Sequence, residues 1–354
     1  MSEWIGDFRI EREPDIARWQ GFVAAHPDGN IFHTPEMHWV FARAARHRPT
    51  CWAAIDRDGC PLALLPVVET AVLDGPFRRL SARAVAYGGA LCRPDETGRR
   101  ALAALLRAYA HQAHPAVVFT ELRNQADCAF LQPVLAGAGF RFEGHLNYLI
   151  DLSQPEDALW GRINRSSRQA IRAAERKGVE VIEAGDEVQV AEGYAILRSI
   201  YARIHVPLPD LSLFAAAYEV LAPRRMMALL LARHDGRTIG ATFNLHYNGR
   251  ILGWYGGGDR EARGLAANDM LIWHAIRRGR EMGMSTFDFG GAGKPDEAYG
   301  VRDYKAKFGG ELVNFGRNTF VHAPRLLRVS QLGYQITRRC CLPNLSRAIG
   351  HGLT

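Results

Sequence analysis

The sequence lacks most of the marks that assign a class at sight. Lysine is nearly absent, with four residues against forty arginines in a chain of 354. No apolar run approaches the ~20 residues of a spanning helix; residues 226–232 are among the longest. The opening MSEWIGDFRIERE is charged and has no apolar core of the signal-peptide kind, which points to a cytoplasmic protein. The six cysteines (Cys51, Cys60, Cys92, Cys128, Cys340 and Cys341) form no C-x-x-C pair and no Cys/His ligand spacing, so reduced core thiols are expected, not disulfides or a zinc site. G-x-S-x-G and H-E-x-x-H are also missing, which removes the commonest serine nucleophile and the zincin metal site.

What is present is globular. A hydrophobic content of 47% and a charged content of 23% are those of a soluble domain protein, and the length suits one large or two ordinary domains. The net charge of +7 favours anionic partners wherever the charge is clustered.

The stretch FDFGGAGKP, residues 287–295, has the composition of a phosphate loop but not its spacing. G-x-x-x-x-G-K-[ST] would need glycine at position 288, where Asp288 stands, and a hydroxyl where Pro295 stands. An aspartate facing a triphosphate would repel it, and the P-loop is excluded. The glycines then read as a turn or as backbone that approaches a substrate, with Lys294 at the rim.

The two halves have similar order. In the first, a strand is expected at 8–10, helices at 14–26 and 35–46, a hairpin at 51–56 and 62–69, and strand-like sequence ending near 87–91. A helix at 96–113, a strand at 117–122, a helix at 126–138 and a strand at 140–152 complete it. The second half repeats the pattern. A strand at 179–183 and helices at 187–204 and 211–221 lead into a meander at 226–234, 238–247 and 251–256. A helix at 266–282, a strand at 285–289, a helix near 299–307 and a strand at 311–321 follow. The meander turns, Asp235-Gly236 and Asn248-Gly249, are strong hairpin signals. The pattern predicts two tandem α/β domains, 1–152 and 153–322, each a mixed sheet flanked by helices, with a basic tail at 323–354.

Residues 153–177 break the symmetry. Ser153 and Glu156 suggest a capping box, with Gly178 as the stop. Arg165, Arg168, Arg172 and Arg176 recur three and four apart and share a face, and Lys177 extends it. The stripe is either a solvated face or an anion site; its single sign and its place at the domain junction favour an anion. The tail carries Arg325, Arg328, Arg338, Arg339 and Arg347 and no acid, and reads either as an amphipathic segment packed on the body or as one lying on an anionic membrane.

Three segments carry a family resemblance: NRSSRQAIRAAERKGVEV, GWYGGGDREARGLAANDMLIWHAIRRGREMGMSTFDFGG and GVRDYKAKFGGEL, preceded by IFHTPEMHWVFARAA and YGGAL. Their order and spacing resemble the FemAB-like transferases, a branch of the GNAT acyltransferase superfamily. The resemblance covers nearly the whole chain. It implies two tandem GNAT-like domains with a cleft between them, and transfer of an aminoacyl group from aminoacyl-tRNA to a peptidoglycan precursor, or N-acyl transfer elsewhere in envelope metabolism. The inserted helical arm of some tRNA-using members has no counterpart in this sequence.

Amine attack on an activated ester or thioester needs positioning, a proton acceptor and oxyanion stabilisation. The resemblance implies that Lys305, within Tyr304-Lys305 and Phe308-Gly309-Gly310, sits where the donor carbonyl or terminal ribose is held, with Lys307 as the alternative. Asp288 is the base candidate, against a plain role in the glycine turn; Asp303 and Glu297 are weaker alternatives. Tyr255 is a candidate for lining the site. The arginine stripe, Arg168 and Arg172 above all, is expected to hold the acceptor's phosphates. The GNAT coenzyme A loop, [QR]-x-x-G-x-[GA] before a helix, falls on Glu261-Ala262-Arg263-Gly264-Leu265-Ala266 ahead of Asn268, with Arg260 and Arg263 in place to compensate for the glutamate. Acyl-CoA therefore stands as the second donor, and a non-catalytic envelope scaffold as the third reading. No bound cofactor is expected.

Overall fold

The computed structural model describes residues 3–71, 78–113, 117–204 and 206–328. The chain divides into two compact units: one runs to Gly144 and includes the segment starting at Phe315, and the other is His145–Asn314.

In the first unit β1 (Glu3–Ile5) and β2 (Phe8–Arg12) lead into α1 (Ile16–Ala25) and α2 (Pro35–Arg43). The hairpin β3 (His47–Ile55) and β4 (Pro61–Thr70) follows, then α3 (Arg78–Ser81), β5 (Arg83–Ala86) and β6 (Leu91–Cys92). Next come α4 (Glu96–Ala113), β7 (Phe119–Arg123), α5 (Gln132–Gly137) and β8 (Arg141–Glu143). α4 has the apolar spacing of a core-facing helix; Ala101, Leu102, Leu105, Leu106 and Tyr109 are buried in one cluster with Leu65, Ala84 and Leu122 of the sheet.

The second unit opens with β9 (Leu146–Asp151), α6 (Glu156–Arg162), α7 (Arg165–Arg176) and β10 (Glu180–Glu183). α8 (Glu187–Ile204) and α9 (Leu211–Leu221) precede the meander β11 (Met227–His234), β12 (Arg237–Tyr247) and β13 (Arg250–Gly258). α10 (Ala267–Glu281), β14 (Thr286–Gly291), α11 (Gly300–Ala306) and β15 (Glu311–Asn314) complete it, and β16 (Arg317–Val321) returns to the first unit. Both residues of each meander turn, Asp235-Gly236 and Asn248-Gly249, have positive φ, the type I′ signature that the sequence predicts.

The sheet orders are β1-β2-β3-β4-β5-β7-β16-β8, with β6 on β4, and β10-β11-β12-β13-β14-β9-β15. Both are mixed and mainly antiparallel. Each has one parallel pair, joined by a crossover helix: β5 with β7 across α4, and β13 with β14 across α10.

Five expectations are corrected. The strand expected at 140–152 is two strands in different sheets, and so is the one at 311–321: β8 and β16 pair in the first sheet, β9 and β15 in the second. Period-2 patterning runs through both breaks, and Gly316, at φ 66°, supplies one of the turns. The unit boundary therefore lies at 144/145, not near 152, and residues 317–321 leave the second unit. The single helix at 153–177 is α6 and α7. No Ser153 capping box forms; Pro155 holds the first cap position, and Asn164 starts α7 by accepting from Ser167 N at 2.8 Å. Gly178 does end α7, with φ 79°.

Residues 324–328 of the basic tail are helical; its remainder, with Cys340 and Cys341, lies outside the described residues. Cys51, Cys60, Cys92 and Cys128 are free thiols. Among the described residues no helix is long and apolar enough to cross a membrane, and no group of three His, Cys, Asp or Glu is placed to hold a metal.

Candidate active site

The crossover pair of the second unit is forked. β13 and β14 pair in parallel from Arg250↔Thr286 to Leu252↔Asp288, and there the ladder ends. β13 continues to Gly258 with its other edge still paired to β12. At the parting point Trp254 is an extra residue, because Phe243 pairs with Tyr255 and Asn244 with Gly253. Such a bulge turns the strand and re-aims its side chains.

Asp288 stands at the base of the fork. Its neighbours Phe287 and Phe289 join a core formed with Trp273 and Ile276 of α10 and Ile171 and Ala174 of α7. Side chains alternate along a strand, so Asp288 points to the opposite face. Tyr255 lies on that face too, its ring 6.0 Å from Tyr201 of α8 and 5.1 Å from Phe214 of α9. Asp288 is fully buried. Its Oδ1 accepts from Gly290 N at 2.7 Å and from Asn147 Nδ2 at 3.3 Å, while Oδ2 has no hydrogen-bond partner. Burial raises its proton affinity above the usual carboxylate range, against the Gly290 bond, Arg250, Lys305 and Asn147.

Lys305 lies on α11 and does not reach open space. Its Nζ donates to Phe289 O at 2.7 Å, Gly290 O at 3.3 Å and Gly291 O at 2.7 Å. Burial pushes the ammonium down to about 8, with Asp288 acting the other way. The two residues that the sequence singles out for catalysis thus meet at one turn. Asp288 binds its N–H side and Lys305 its C=O side. The turn needs glycine: Gly290 and Gly293 have φ of 69° and 79°, and a β-carbon at Gly293 would lie 2.9 Å from the Tyr299 ring.

The remaining candidates separate by face. α7 packs on α10 and on the short 3-10 turn Arg263–Leu265. Lys177 Nζ donates to Gly264 O at 3.0 Å, so the stripe adjoins the loop before α10, not the face of Asp288 and Tyr255. Arg165, Arg172, Lys177, Arg260, Arg263 and Gly264 are exposed and Arg168 is half-buried. The Arg172 guanidinium lies over Trp160 at 5.4 Å. Ala266 begins α10 with a left-handed φ of 46° and gives no side-chain cap. Tyr304 donates to Asp269 Oδ1 at 3.3 Å and bonds Asn268, and Lys307 lies over its ring at 5.4 Å. Burial, then Asp269, holds the Tyr304 phenol well above the ordinary tyrosine range. Asp303 and Glu297 are exposed.

Sequence reasoning missed Arg302, Asn147 and Tyr201. Arg302 makes its bonds to backbone carbonyls, which leave no trace in residue type. Asn147 lies on β9, which belongs to a sheet that the expected boundary denied it. Tyr201 sits in a predicted helix with nothing to mark it before α8 meets β13.

With this geometry in place, comparison with known proteins is specific. Residues 162–306 match the acetyltransferase (GNAT) domain model. No curated protein matches the chain. Among solved structures the chain is similar to FemX, at 15% identity and a TM-score of 0.69, covering 92% of this chain and 99% of that one. It is also similar to the C-terminal domain of a putative lysylphosphatidylglycerol synthetase from Agrobacterium fabrum, at 15% identity and a TM-score of 0.56, covering 91% and 95%. A tandem GNAT protein of the clavulanic acid biosynthesis pathway gives 13% identity and a TM-score of 0.56, covering 89% and 99%. The second unit therefore carries a GNAT acyltransferase domain, the whole chain has the tandem GNAT fold of FemX, and the protein is a transferase of the acyl class.

Proposed function

We propose that the protein is an N-acyltransferase that holds an activated acyl donor in the fork between β13 and β14 and delivers the acyl group to an amine. The observation that carries this reading is the ladder that stops at Leu252↔Asp288 while β13 runs on to Gly258. The parted edge offers backbone N–H and C=O groups to an extended donor chain, as a missing strand would use them. N–H groups fixed in advance also suit the oxyanion of a tetrahedral intermediate. The amine attacks the acyl carbonyl, the C–N bond forms, and collapse expels the alkoxide or thiolate of the donor. Asp288 is assigned the amine proton, because Oδ2 is uncommitted and burial raises its affinity for one.

The donor is read as aminoacyl-tRNA. Arg165, Arg168, Arg172, Arg176 and Lys177 run along a helix about 18 Å long beside the loop at 259–266, with one acid among them, Glu175. That length suits a phosphate chain better than a single pyrophosphate, so the stripe is assigned to the donor and not to the acceptor. An acyl-CoA donor is the second reading; α10 begins without a side-chain cap, which leaves its first N–H groups to a pyrophosphate. The likeness to FemX and the resemblance in the sequence support an envelope precursor as acceptor, modified on the cytoplasmic side.

A donor screen tests this. Purified protein is given charged tRNAs and CoA thioesters, and discharge and thermal stabilisation are followed. Aminoacyl-tRNA discharge with salt-sensitive binding is expected. Stabilisation by CoA alone reverses the order of donors, and indifference to both sinks the enzyme reading in favour of a scaffold.

A further inference from the structure

Every carbonyl from Phe289 to Pro295 is taken up by a protein donor. Lys305 Nζ takes those of Phe289, Gly290 and Gly291. One helical turn earlier, Arg302 takes the next ones on the same side: Nε to Ala292 O at 2.9 Å, Nη2 to Lys294 O and Nη1 to Pro295 O at 3.4 Å. Gly293 O accepts from Leu146 N at 2.9 Å. A stretch with three glycines has large backbone freedom to lose, and here two cations of a seven-residue helix gather six of its seven carbonyls.

Neither cation forms an ion pair within 4 Å among the described residues. They are held by backbone dipoles, in charge-assisted bonds stronger than neutral ones. Surface neutralisation or a salt bridge between helices would not call for this arrangement. Its product is a fixed direction for the backbone that leaves the fork: with carbonyls turned to α11, Gly290 N is delivered to Asp288 Oδ1 and Ala292 N to Leu146 O, at 2.7 and 2.5 Å.

We infer that Arg302 and Lys305 are positioning residues, which clamp the carbonyls of 289–295 and thereby set one arm of the fork and the aim of the Asp288 carboxyl. The clamp itself follows from the geometry; its consequence for turnover rests on the reading of the fork as the reaction site. Lys305 is on this account no donor to the reacting carbonyl, since its three N–H bonds are spent.

Hydrogen–deuterium exchange on the full chain separates the two parts. Arg302→Ala is expected to speed exchange of amides in 292–297 by about tenfold or more, and Lys305→Ala those in 289–292, with the meander 227–258 unchanged. Ethylammonium added to Lys305→Ala, and guanidinium to Arg302→Ala, should restore protection. In the transfer assay both variants should lose about 10- to 100-fold in kcat with KM for the donor moved by less than about threefold, since misplacement and not binding is at fault. The same added cations should return rate in proportion to protection. If either alanine variant fails to fold, Arg302→Lys and Lys305→Met are read in its place, with partial loss expected. Unchanged exchange in 289–297 overturns the clamp, and raised exchange at full kcat overturns the positioning role. A wild type that transfers no acyl group from any donor removes the proposed function and leaves the exchange result standing.

Discussion

In the first unit β5 ends at Ala86, and Tyr87-Gly88-Gly89 turns off the ladder; in the second β13 continues past its bulge through Tyr255-Gly256-Gly257, still paired to β12. The frames correspond: each strand pairs in parallel with the strand beyond its crossover helix, and a carboxylate lies on that partner, Glu121 opposite Val85 and Asp288 opposite Leu252. What surrounds these parts differs. A β-carbon at Gly88 would lie 2.5 Å from Asn30 Oδ1 and 2.7 Å from His33 Nε2, so side chains already occupy that approach. His33 is held neutral, its pKa pushed down to about 3 by burial against its bonds to Gly89 and Gly88. At the matching place in the second unit Gly256 is exposed, with Thr242 Oγ1 alone closer than 3 Å, at 2.8 Å, to where its β-carbon would lie.

The carboxylates differ as sharply. Burial works to raise Glu121, but Arg123, Arg317 and Arg83 override it and hold its pKa at about 2. Arg123 Nε lies 2.5 Å away and Arg317 Nη1 3.4 Å away. Arg317 is itself pushed down, by burial and by Arg123. That does not discharge it, because a guanidinium keeps its proton at any pH of interest. Asp288 has Arg250 and Lys305 acting on it from beyond ion-pair distance, and burial wins. One topology thus yields a carboxylate that guanidiniums hold in its charged form and one whose proton affinity burial raises.

The sharpest way to break this contrast is Asp288→Asn. Transfer should fall about 10²- to 10⁴-fold while the fold is kept, as a buried carboxyl with an unpartnered oxygen is removed. Retained kcat in that variant would leave Asp288 with the glycine turn and nothing more. Glu121→Gln should do the reverse: specific activity per folded molecule persists, and urea unfolding shows a loss of about 3 kcal/mol as buried guanidiniums lose their anion. The pH dependence has a definite sign. Glu121 titrates lower folded than unfolded, so its stabilisation is complete above about 4.5 and is lost as pH falls toward 2. Asp288 titrates higher folded than unfolded and acts in the opposite direction, so the acid limb of stability should flatten in Glu121→Gln and not in Asp288→Asn.

A smaller effect concerns Lys305. As pH rises through about 8 its ammonium gives up one of three donors to the Phe289, Gly290 and Gly291 carbonyls. An alkaline limb of kcat near that pH is expected, moved up by at least about one unit in Lys305→Arg, whose guanidinium stays charged. A limb that stays put assigns it to another group. The smallest effect belongs to the stripe. Arg165→Ala, Arg172→Ala and Arg176→Ala should each lower the salt slope of tRNA binding by about one, with kcat at saturation unmoved. A slope indifferent to all three takes the phosphate chain off α7.

Much of this frame was legible in the residues. α4, α8 and α9 fall at 96–113, 187–204 and 211–221, where apolar periodicity puts them. Asp235-Gly236 and Asn248-Gly249 turn as their chemistry requires. The double crossing between sheets was not legible, because alternation in 140–152 and 311–321 is the same whichever sheet a strand joins. The break at Asn164 was within reach, since an asparagine directly ahead of the arginine stripe is a start signal; the start signal at Ser153 and the stop at Gly178 made one helix of the whole segment. Lys305 was found by its motif, but its partners are carbonyls, and backbone atoms are the same at every position.

The double crossing has a consequence for synthesis. β8 pairs only with β16 among the described strands, and β7 needs β16 on its outer edge. A ribosome that has made the first 144 residues has therefore not made the first unit. It must translate all of His145–Asn314 before residues 317–321 emerge to close that sheet. The part of the protein that is born first is finished last, and until then it shows two open strand edges to whatever chaperone attends the nascent chain.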